Sequence, residues 1–389
     1  MKNIYEEISN TISRLYRSKN KIRNLHKPIL KDQEKKILEK VINSSYVSSV
    51  GPYVKKFEKK IEKFTKVKHA ICLSSGTSAL HISLLLSDIN SQHEVLIPKF
   101  NFIASANACR YLGASPHFVD CSEKTLCIDL EKLELYLKKI CTRRGGKTFN
   151  IRTGKQIKAC IPTYSYGYVF NIVKLKSICK RYNITLIEDS AEALGSFYKN
   201  KHVGTFGKFG ILSFNGNKII TTGGGGALLT NSNLLAKKAR HISNVSKVFK
   251  KYDIHYDQIG YNYKMPNLNA AIGYTQINNL KKIIKKKNQL NKYLINNITN
   301  SQKYFEIYKQ KNGSNCNNWM QLLIIKDKKI KINKLLLHLN QNNIQAKRAW
   351  SNINKYNYLK IFPSMKNTNN NFFSKIILLP SNEFEFIKK

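Results

Sequence analysis

From residue 69 onward, short apolar runs alternate with amphipathic segments along the chain. Runs of strand length lie at 69–73, 95–98, 116–120, 158–162 and 185–188. The segments between them carry apolar residues at helical spacing. Strands that alternate with helices over short connections pair in parallel, and the helices cover both faces of the sheet. The pattern therefore predicts an α/β fold built on a mostly parallel central sheet with helices on both faces.

Both ends of the chain differ from this middle part. Residues 3–16 carry an apolar helical stripe, which predicts a helix that packs on the body or on a second subunit, and basic residues follow it. After Met265-Pro266, a long basic helical stretch over 269–295 leads to short strand and helix patterns typical of a smaller α+β unit. We therefore predict an N-terminal helix and linker over 1–27, a large domain over 28–275 and a small C-terminal domain over 276–389.

The net charge of +44 is extreme for a chain of 389 residues. Such a balance is compatible with nucleic acid, anionic lipid or an acidic substrate. The lysines, however, are spread over the whole chain among many Asn and Ile residues, with no dedicated basic tail. This distribution indicates a compositional bias with weak steering of anions, and we predict no nucleic-acid partner; a basic nucleic-acid binder stays the alternative.

Cysteine usage and apolar run length limit the compartment. The eight cysteines form no C-x-x-C pair, and no histidine pair has the spacing of metal ligands. Several cysteines lie in apolar patterns, where a thiol serves as a small hydrophobic group. The charged N-terminus does not resemble a signal peptide, and no apolar run approaches 18 residues. We expect a cytoplasmic protein with no metal and no membrane partner.

The stretch from Gly207 to Asn231 carries the strongest chemical signal. An apolar strand-like run ends near Ser213, Lys218 follows five residues later, and four consecutive glycines, 223–226, precede another apolar run. A lysine held in an apolar pocket has a lowered pKa, and its free amine can form an imine with a carbonyl group. The alternative is an ordinary surface lysine on a turn.

A second signal is the segment SSGTSAL at 74–80, which follows a predicted strand and opens a predicted helix. Free N–H groups at a helix N-terminus bind phosphate, and Gly76 allows close approach of the backbone while Thr77 and Ser78 add hydroxyl groups. The segment is neither G-x-G-x-x-G nor a P-loop, which disfavours dinucleotides and nucleoside triphosphates. An ordinary strand–turn–helix is the alternative.

Three further segments carry polar or aromatic candidates. Asp189, in LIEDSAEALGS, ends an apolar strand, where open α/β sheets place their ligand crevice. A carboxylate there can bond the protonated ring nitrogen of pyridoxal 5′-phosphate (PLP), although a helix cap or a metal ligand would look the same. Phe102 or Phe100 could stack on a planar cofactor, or either could belong to the core. Asn262, within an aromatic run, is compatible with a phosphate contact or a turn.

The order of these signals is that of a fold type I PLP enzyme. From about residue 28 to about residue 380, the chain resembles the DegT/DnrJ/StrS type of sugar-nucleotide aminotransferase. The resemblance is carried by EDSAEALGS at 188–196, SFNGNKIITTGGGG at 213–226 and GYNYKMPNLNAA at 260–271. It implies a PLP-dependent transferase with a large cofactor-binding domain and a small C-terminal domain.

The resemblance also implies a role for each matching residue. Lys218 would bind the cofactor covalently and move the proton, and Asp189 would pair with the pyridine nitrogen. The phosphate would be held by Gly76, Thr77, Ser78 and Ser213, the ring would stack on Phe102, and Glu192 would lie near the 3-hydroxyl. Asn262 would reach the phosphate in the neighbouring subunit, which implies a homodimer with shared active sites. Tyr164 departs from the histidine usual in P-x-H-x-Y-G, and Lys264 from a common arginine.

Within the family, YVSSVGPYVKKFE at 46–58, the Lys218 segment and the insertion at 141–157 look like the LegC-like group of legionaminic-acid pathways. This likeness implies transfer of an amino group from glutamate to C4 of a UDP-linked 4-keto-6-deoxy-N-acetylhexosamine, for nonulosonic acid or surface-polysaccharide biosynthesis. The alternative is a GDP-perosamine synthase acting on GDP-linked 4-keto-6-deoxymannose. A non-catalytic regulator with the PLP fold is disfavoured by the presence of both Lys218 and Asp189.

Overall fold

The computed structural model describes residues 2–14, 22–299, 303–310, 314–366 and 371–382. Part of the predicted basic linker, 17–21, and the end of the predicted small domain, 383–389, lie outside these residues. The helices are α1 (Lys2–Ser13), α2 (Asp32–Asn43), α3 (Pro52–Thr65), α4 (Gly76–Leu85), α5 (Ala104–Tyr111), α6 (Leu130–Ile140), α7 (Ile172–Arg181), α8 (Asn233–Ile242), α9 (Asn267–Leu294) and α10 (Ile332–Gln341).

The strands divide between a large sheet, a small sheet and two short hairpins. Those of the large sheet are β1 (His69–Leu73), β2 (His93–Pro98), β3 (Ser115–Val119), β4 (Cys141–Arg144), β5 (Lys147–Asn150), β6 (Gln156–Cys160), β7 (Thr185–Asp189), β10 (Phe209–Ser213) and β11 (Gly226–Thr230). The others are β8 (Phe197–Tyr198), β9 (Lys201–His202), β12 (Lys247–Lys250), β13 (Asp253–Tyr256), β14 (Phe305–Ile307), β15 (Gln321–Ile325), β16 (Lys347–Arg348) and β17 (Ile376–Leu379).

The large sheet has the strand order β1-β11-β10-β7-β6-β2-β3, with the β4–β5 hairpin attached to β6. The pairs β10–β7, β7–β6, β6–β2 and β2–β3 are parallel, whereas β11 is antiparallel to both of its neighbours. Two antiparallel steps leave β1 pointing the same way as β10. The carboxyl ends of β1, β7 and β10 therefore lie at one edge of the sheet, as the prediction of an α/β fold requires.

Strand residues alternate between two apolar layers, which is the period of a sheet covered on both faces. On β1, Ala70 and Cys72 face the layer that includes α3, α6, α7 and α9, while Ile71 and Leu73 face the layer of α4, α5 and α8. Leu212 and Ile211 divide in the same way on β10. The predicted arrangement of helices on both faces is confirmed.

The small C-terminal unit is an antiparallel sheet with the order β14-β15-β17-β16, and α10 packs on it. Helix α1 contributes Tyr5, Ile8 and Ile12 to the same apolar cluster. Its predicted apolar stripe is therefore covered by the small unit of its own chain. Helix α9 runs through residue 276, so the predicted boundary falls inside a continuous helix and stays a prediction.

Several elements were not expected from the pattern, among them two hairpins and a helix. The charged insertion at 141–157 forms the β4–β5 hairpin, which extends the large sheet through β6. Helix α8 and the β12–β13 hairpin fill the stretch between β11 and α9. No described helix is both long enough and apolar enough to cross a membrane.

Candidate active site

A cleft with a volume of about 760 Å³ opens at the edge of the large sheet where β1, β7 and β10 end. It extends to the small sheet, which contributes Lys347 and Leu378. Most of the predicted site residues line it, namely Gly76, Thr77, Phe102, Asp189, Glu192, Ser213 and Lys218. Ser78 and Asn262 are not among the lining residues. The described residues contain no cluster of three or more histidine, cysteine or acidic side chains that could hold a metal ion.

Lys218 lies in the turn that joins β10 to β11, and its side chain is only 13% exposed. Its Nζ donates to Oε1 of Glu192 at 2.9 Å and lies 4.6 Å from the ring centroid of Trp319. Trp319 also holds the turn that carries Lys218, because its indole N–H donates to the carbonyl of Asn217 at 2.8 Å. Lys218 is thus an amine aimed into the cleft and held by groups from two parts of the chain.

Glu192 is buried, and its two carboxylate oxygens have different partners. Oε1 pairs with Lys218, and Oε2 accepts the backbone N–H of Tyr166 at 2.8 Å. Burial raises the pKa of the Glu192 carboxyl, and the nearby ammonium of Lys218 opposes that rise. The pair keeps a negative charge next to the amine on which the chemistry would depend.

Asp189 ends β7 and is also buried. Its Oδ2 accepts the hydroxyl of Ser105 at 2.9 Å, and its Oδ1 accepts the N–H of Ala191 at 3.2 Å. Burial raises the pKa of this carboxyl, so a cationic ring nitrogen beside it would stabilise the ionised form. Thr163 lies alongside in a parallel bridge, and its buried hydroxyl oxygen has no partner among the described residues.

The turn after β1 has the geometry of an anion site. Ser75 caps α4, since its Oγ accepts the N–H of Ser78 at 3.0 Å while Oγ of Ser78 accepts the N–H of Ser75 at the same distance. The N–H groups of Gly76 and Thr77 stand in the first helical turn, where no intrahelical acceptor exists. A Cβ on Gly226 would lie 2.3 Å from the carbonyl carbon of Ser75, so only glycine lets β11 begin this close to the turn.

Ser78 therefore serves first as part of the helix cap. Its hydroxyl donates to the carbonyl of Ser75 at 2.7 Å, and the side chain is buried outside the cleft lining. Thr77 and Ser213, by contrast, line the cleft beside the helix N-terminus. A role of Ser78 in direct phosphate binding stays a prediction.

Several aromatic rings also line the cleft. The rings of Tyr166 and Trp350 lie 4.5 Å apart, and Tyr166 stacks on Trp319 at 6.1 Å. Phe102 lines the cleft, is 56% exposed and lies 6.2 Å from Trp350, so it is the more accessible of the two predicted stacking candidates. Phe100, the alternative, is fully buried and stacks on Phe373.

Asn262 is exposed, and its backbone pairs with Asn244 next to the β12–β13 hairpin. The backbone carbonyl of the following residue, Tyr263, accepts the N–H of Ser74 at 2.7 Å, which places this segment next to the turn after β1. Asn262 therefore does not join the other predicted residues in the cleft of its own chain.

Tyr164, which departs from the family's histidine, is fully buried and donates its hydroxyl to Glu188. The carboxylate of Glu188 also accepts the N–H groups of Gly204, Phe206 and Gly207 at 2.6 to 2.9 Å. Tyr164 therefore fastens the loop behind β7 and is not among the cleft-lining residues.

Sequence reasoning missed several residues of the site. Ser105, Thr163 and Tyr166 follow or precede recognised motifs, but nothing in their spacing predicts the contacts they make. Trp319 and Trp350 are the two tryptophans of the chain, and that rarity is the one signal that could have singled them out. The extended segment 24–28 also lines the cleft and carries no periodic pattern.

Comparison with known proteins decides the family. A family model for the DegT/DnrJ/EryC1/StrS aminotransferases matches residues 28–383. The chain belongs to this family.

Relatives of this aminotransferase include two GDP-perosamine synthases. The one from Vibrio cholerae is 33% identical over 325 residues, which is 83% of either chain. The one from Escherichia coli O157:H7 is 36% identical over 266 residues, which is 68% of either chain. Among solved structures, Helicobacter pylori PseC, an aminotransferase involved in the biosynthesis of pseudoaminic acid, superposes with a TM-score of 0.81 at 25% identity, over 92% of this chain and 94% of PseC.

These comparisons confirm a PLP-dependent sugar aminotransferase with a fold type I architecture. They leave the finer, LegC-like assignment unconfirmed, and the curated relatives named above are GDP-perosamine synthases, which the sequence analysis gave as the alternative. The cleft fits the family's cofactor. It offers an amine at Lys218, a buried carboxylate at Asp189, a helix N-terminus at Gly76 and Thr77, and the buried hydroxyl of Thr163 that still needs a partner.

Proposed function

We propose that this aminotransferase moves an amino group from glutamate to C4 of GDP-linked 4-keto-6-deoxymannose. The observation that carries the proposal is the 33% and 36% identity to GDP-perosamine synthases, whose named product is a GDP-linked amino sugar. A product of this kind would serve surface-polysaccharide biosynthesis. The second candidate is a UDP-linked 4-keto-6-deoxy-N-acetylhexosamine, which the LegC-like segments and the likeness to PseC favour.

In this proposal, bound PLP supplies the electron sink for the reaction. Lys218 Nζ holds the cofactor at rest, takes the proton from Cα of the amino donor and later returns a proton at C4 of the sugar. Asp189 pairs with the ring nitrogen, and Phe102 stacks on the ring. Glu192 holds the lysine amine at 2.9 Å while Lys218 is free.

The phosphate would be bound at the start of α4. The N–H groups of Gly76 and Thr77 point out of the helix N-terminus, where the helix dipole favours an anion. The hydroxyl groups of Thr77 and Ser213 border the same space, and Ser78 keeps the turn in shape through its cap. Asn262 would complete the site from a second subunit, which makes the proposed enzyme a homodimer with shared sites.

An assay with purified holoenzyme, glutamate and each 4-keto sugar nucleotide tests the substrate. We expect mass spectrometry to detect a 4-amino sugar from the GDP-linked substrate, and no product from the variant Lys218→Ala. Lys326→Ala, which removes an exposed lysine of the small sheet, is the matched control and should keep wild-type turnover. Turnover of the UDP-linked sugar alone would replace the first candidate with the second.

A further inference from the structure

Residues 22–28 form an extended strap between the small unit and the cleft. The backbone of Arg23 bonds to Asn343 and to Gln345 on the small unit. Further along, the N–H of Leu25 donates to Oε1 of Gln345 at 3.0 Å, and the carbonyl of Leu25 accepts the N–H of Ser381 at 2.9 Å. The strap therefore has a fixed position, and its residues 24–28 form one side of the cleft.

His26, in the middle of this strap, is the one histidine among the described residues that line the cleft with Lys218. The His26 and Trp319 ring centroids are 6.2 Å apart, and Lys218 Nζ lies 4.6 Å from the same indole ring. Both imidazole nitrogens are buried, and neither has a hydrogen-bond partner among the described residues. Buried polar atoms in folded proteins nearly always have hydrogen-bond partners, so the two nitrogens are open to a ligand that enters the cleft.

The surroundings of His26 favour an anionic ligand. Lys287 is fully buried on α9, where Nζ donates to the carbonyls of Trp319 and Ser381. Burial, together with the charges of Lys287 and Lys218, lowers the pKa of His26 well below its ordinary value, so the ring is neutral. Lys27 and Lys347 add positive charge along the same side of the cleft. A neutral imidazole can donate one N–H to a carboxylate there without adding another buried cation.

The position of Lys218 indicates which substrate supplies this carboxylate. The amino donor reacts through the amine on its α-carbon, and its α-carboxylate is one bond away from that carbon. A donor bound at Lys218 therefore brings a carboxylate next to the residues that surround Trp319. The carbons next to C4 of a hexose carry neutral substituents, which gain less from the nearby lysines. Rotation of the His26 ring by 180° about its Cβ–Cγ bond exchanges ring nitrogens with ring carbons, so that a nitrogen can face the ligand.

We infer that His26 is a substrate-binding residue whose imidazole N–H donates a hydrogen bond to a carboxylate of the amino donor. The inference rests on the proposed donor, glutamate, and not on the identity of the sugar. It gives the strap a function in the first half-reaction, in which the donor is bound and deprotonated.

The variant His26→Phe tests this assignment, because it keeps a ring against Trp319 and removes both nitrogens. We expect the affinity of the holoenzyme for glutamate, measured from the bleaching of the cofactor absorbance in single turnovers, to fall about 10–100-fold. Glutarate, which has no amino group and cannot react, should lose a similar factor in calorimetric titrations. The second half-reaction with the 4-keto sugar should stay within about two-fold.

Two further variants keep the test decisive. His26→Gln retains an N–H donor and should recover part of the affinity, and it replaces the phenylalanine variant if that protein fails to fold. His69→Phe, on β1 outside the cleft lining, is the matched control and should bind glutarate like the wild type. Unchanged glutarate binding in His26→Phe, or equal losses in both half-reactions, would overturn the assignment. A wild type that reacts with glutamate but not with the GDP-linked sugar would refute only the proposed substrate.

Discussion

Three acidic residues within one short segment have different tasks because their partners differ. Glu188 accepts one hydroxyl and three backbone N–H groups and holds a loop, Asp189 faces the cleft beside Ser105, and Glu192 pairs with Lys218. The motif EDSAEALGS indicated Asp189 and Glu192 from strand position and resemblance. It could not indicate the task of Glu188, since the donors to this carboxylate come from residues 164 and 204–207, which only the fold brings together.

The pairing of Glu192 with Lys218 predicts the effect of Glu192→Gln. The amide keeps an acceptor for the N–H of Tyr166 but removes the negative charge 2.9 Å from Lys218 Nζ. A hydrogen bond to a charged group contributes about 1.5–3 kcal/mol, so we expect turnover to fall about 10–100-fold while borohydride still traps the cofactor on Lys218. Steady-state kinetics and peptide mapping measure both effects. The matched variant Glu306→Gln, which removes an exposed pair with Lys326, should retain full turnover. Full turnover in Glu192→Gln would show that the charge is not needed.

At the scale of elements, apolar runs were predictable and polar or irregular segments were not. The run at 69–73 predicted β1 with its observed bounds, and the run at 185–188 predicted all of β7 except its last residue. The β4–β5 hairpin was missed because its strands are polar, pair with each other and join β6 at a single position. The cleft-lining strap was missed for a related reason: its backbone bonds go to residues more than 300 positions away.

The β8–β9 hairpin predicts a pH dependence of stability. His202, at the end of β9, is buried, its Nε2 accepts the N–H of Gly195 at 2.9 Å, and burial lowers its pKa from 6.5 to about 4. Below pH 6.5 the unfolded chain binds a proton that the folded chain does not take up until about pH 4, so stability falls as the pH falls through this window. Through His202 alone, acidification from about pH 7 to about pH 5 should lower the free energy of unfolding by about 2 kcal/mol.

Urea unfolding of the wild type and of His202→Gln at the two pH values measures this contribution. Glutamine supplies an acceptor and a donor but no titrating group, so the loss of unfolding free energy on acidification should be smaller in the variant by that amount. Because the other titrating groups are common to both proteins, their contributions cancel in the difference. His69→Gln, a partly exposed control on β1, should follow the wild type. Equal losses in the wild type and in His202→Gln would contradict the assignment.

At the scale of the whole molecule, one surface does not look like that of an isolated chain. The β12–β13 hairpin and the segment after it expose large apolar side chains, with Phe249, Tyr252 and Ile259 between 73% and 89% exposed. Exposed apolar patches of this kind typically mark protein interfaces. Asn262 comes three positions after Ile259 and is exposed, next to the turn that follows β1. The resemblance predicted a residue shared between subunits, and the position of Asn262 outside its own cleft supports that proposal.

Mixed dimers test whether Asn262 acts in the neighbouring site. Lys218→Ala is expected to be inactive, and Asn262→Ala, which loses a phosphate contact, is expected to turn over about 10-fold more slowly. In a dimer of one Lys218→Ala chain and one Asn262→Ala chain, a shared arrangement leaves one site with both native residues, so about half of the wild-type activity per dimer should return. Differently tagged chains, purified through both tags, provide this species. A dimer of one doubly substituted chain with one wild-type chain is the matched control, and it should stay impaired, because its single native lysine then faces the altered asparagine. If the control is active and the mixed dimer is not, Asn262 acts in its own subunit and the proposed sharing of sites is wrong.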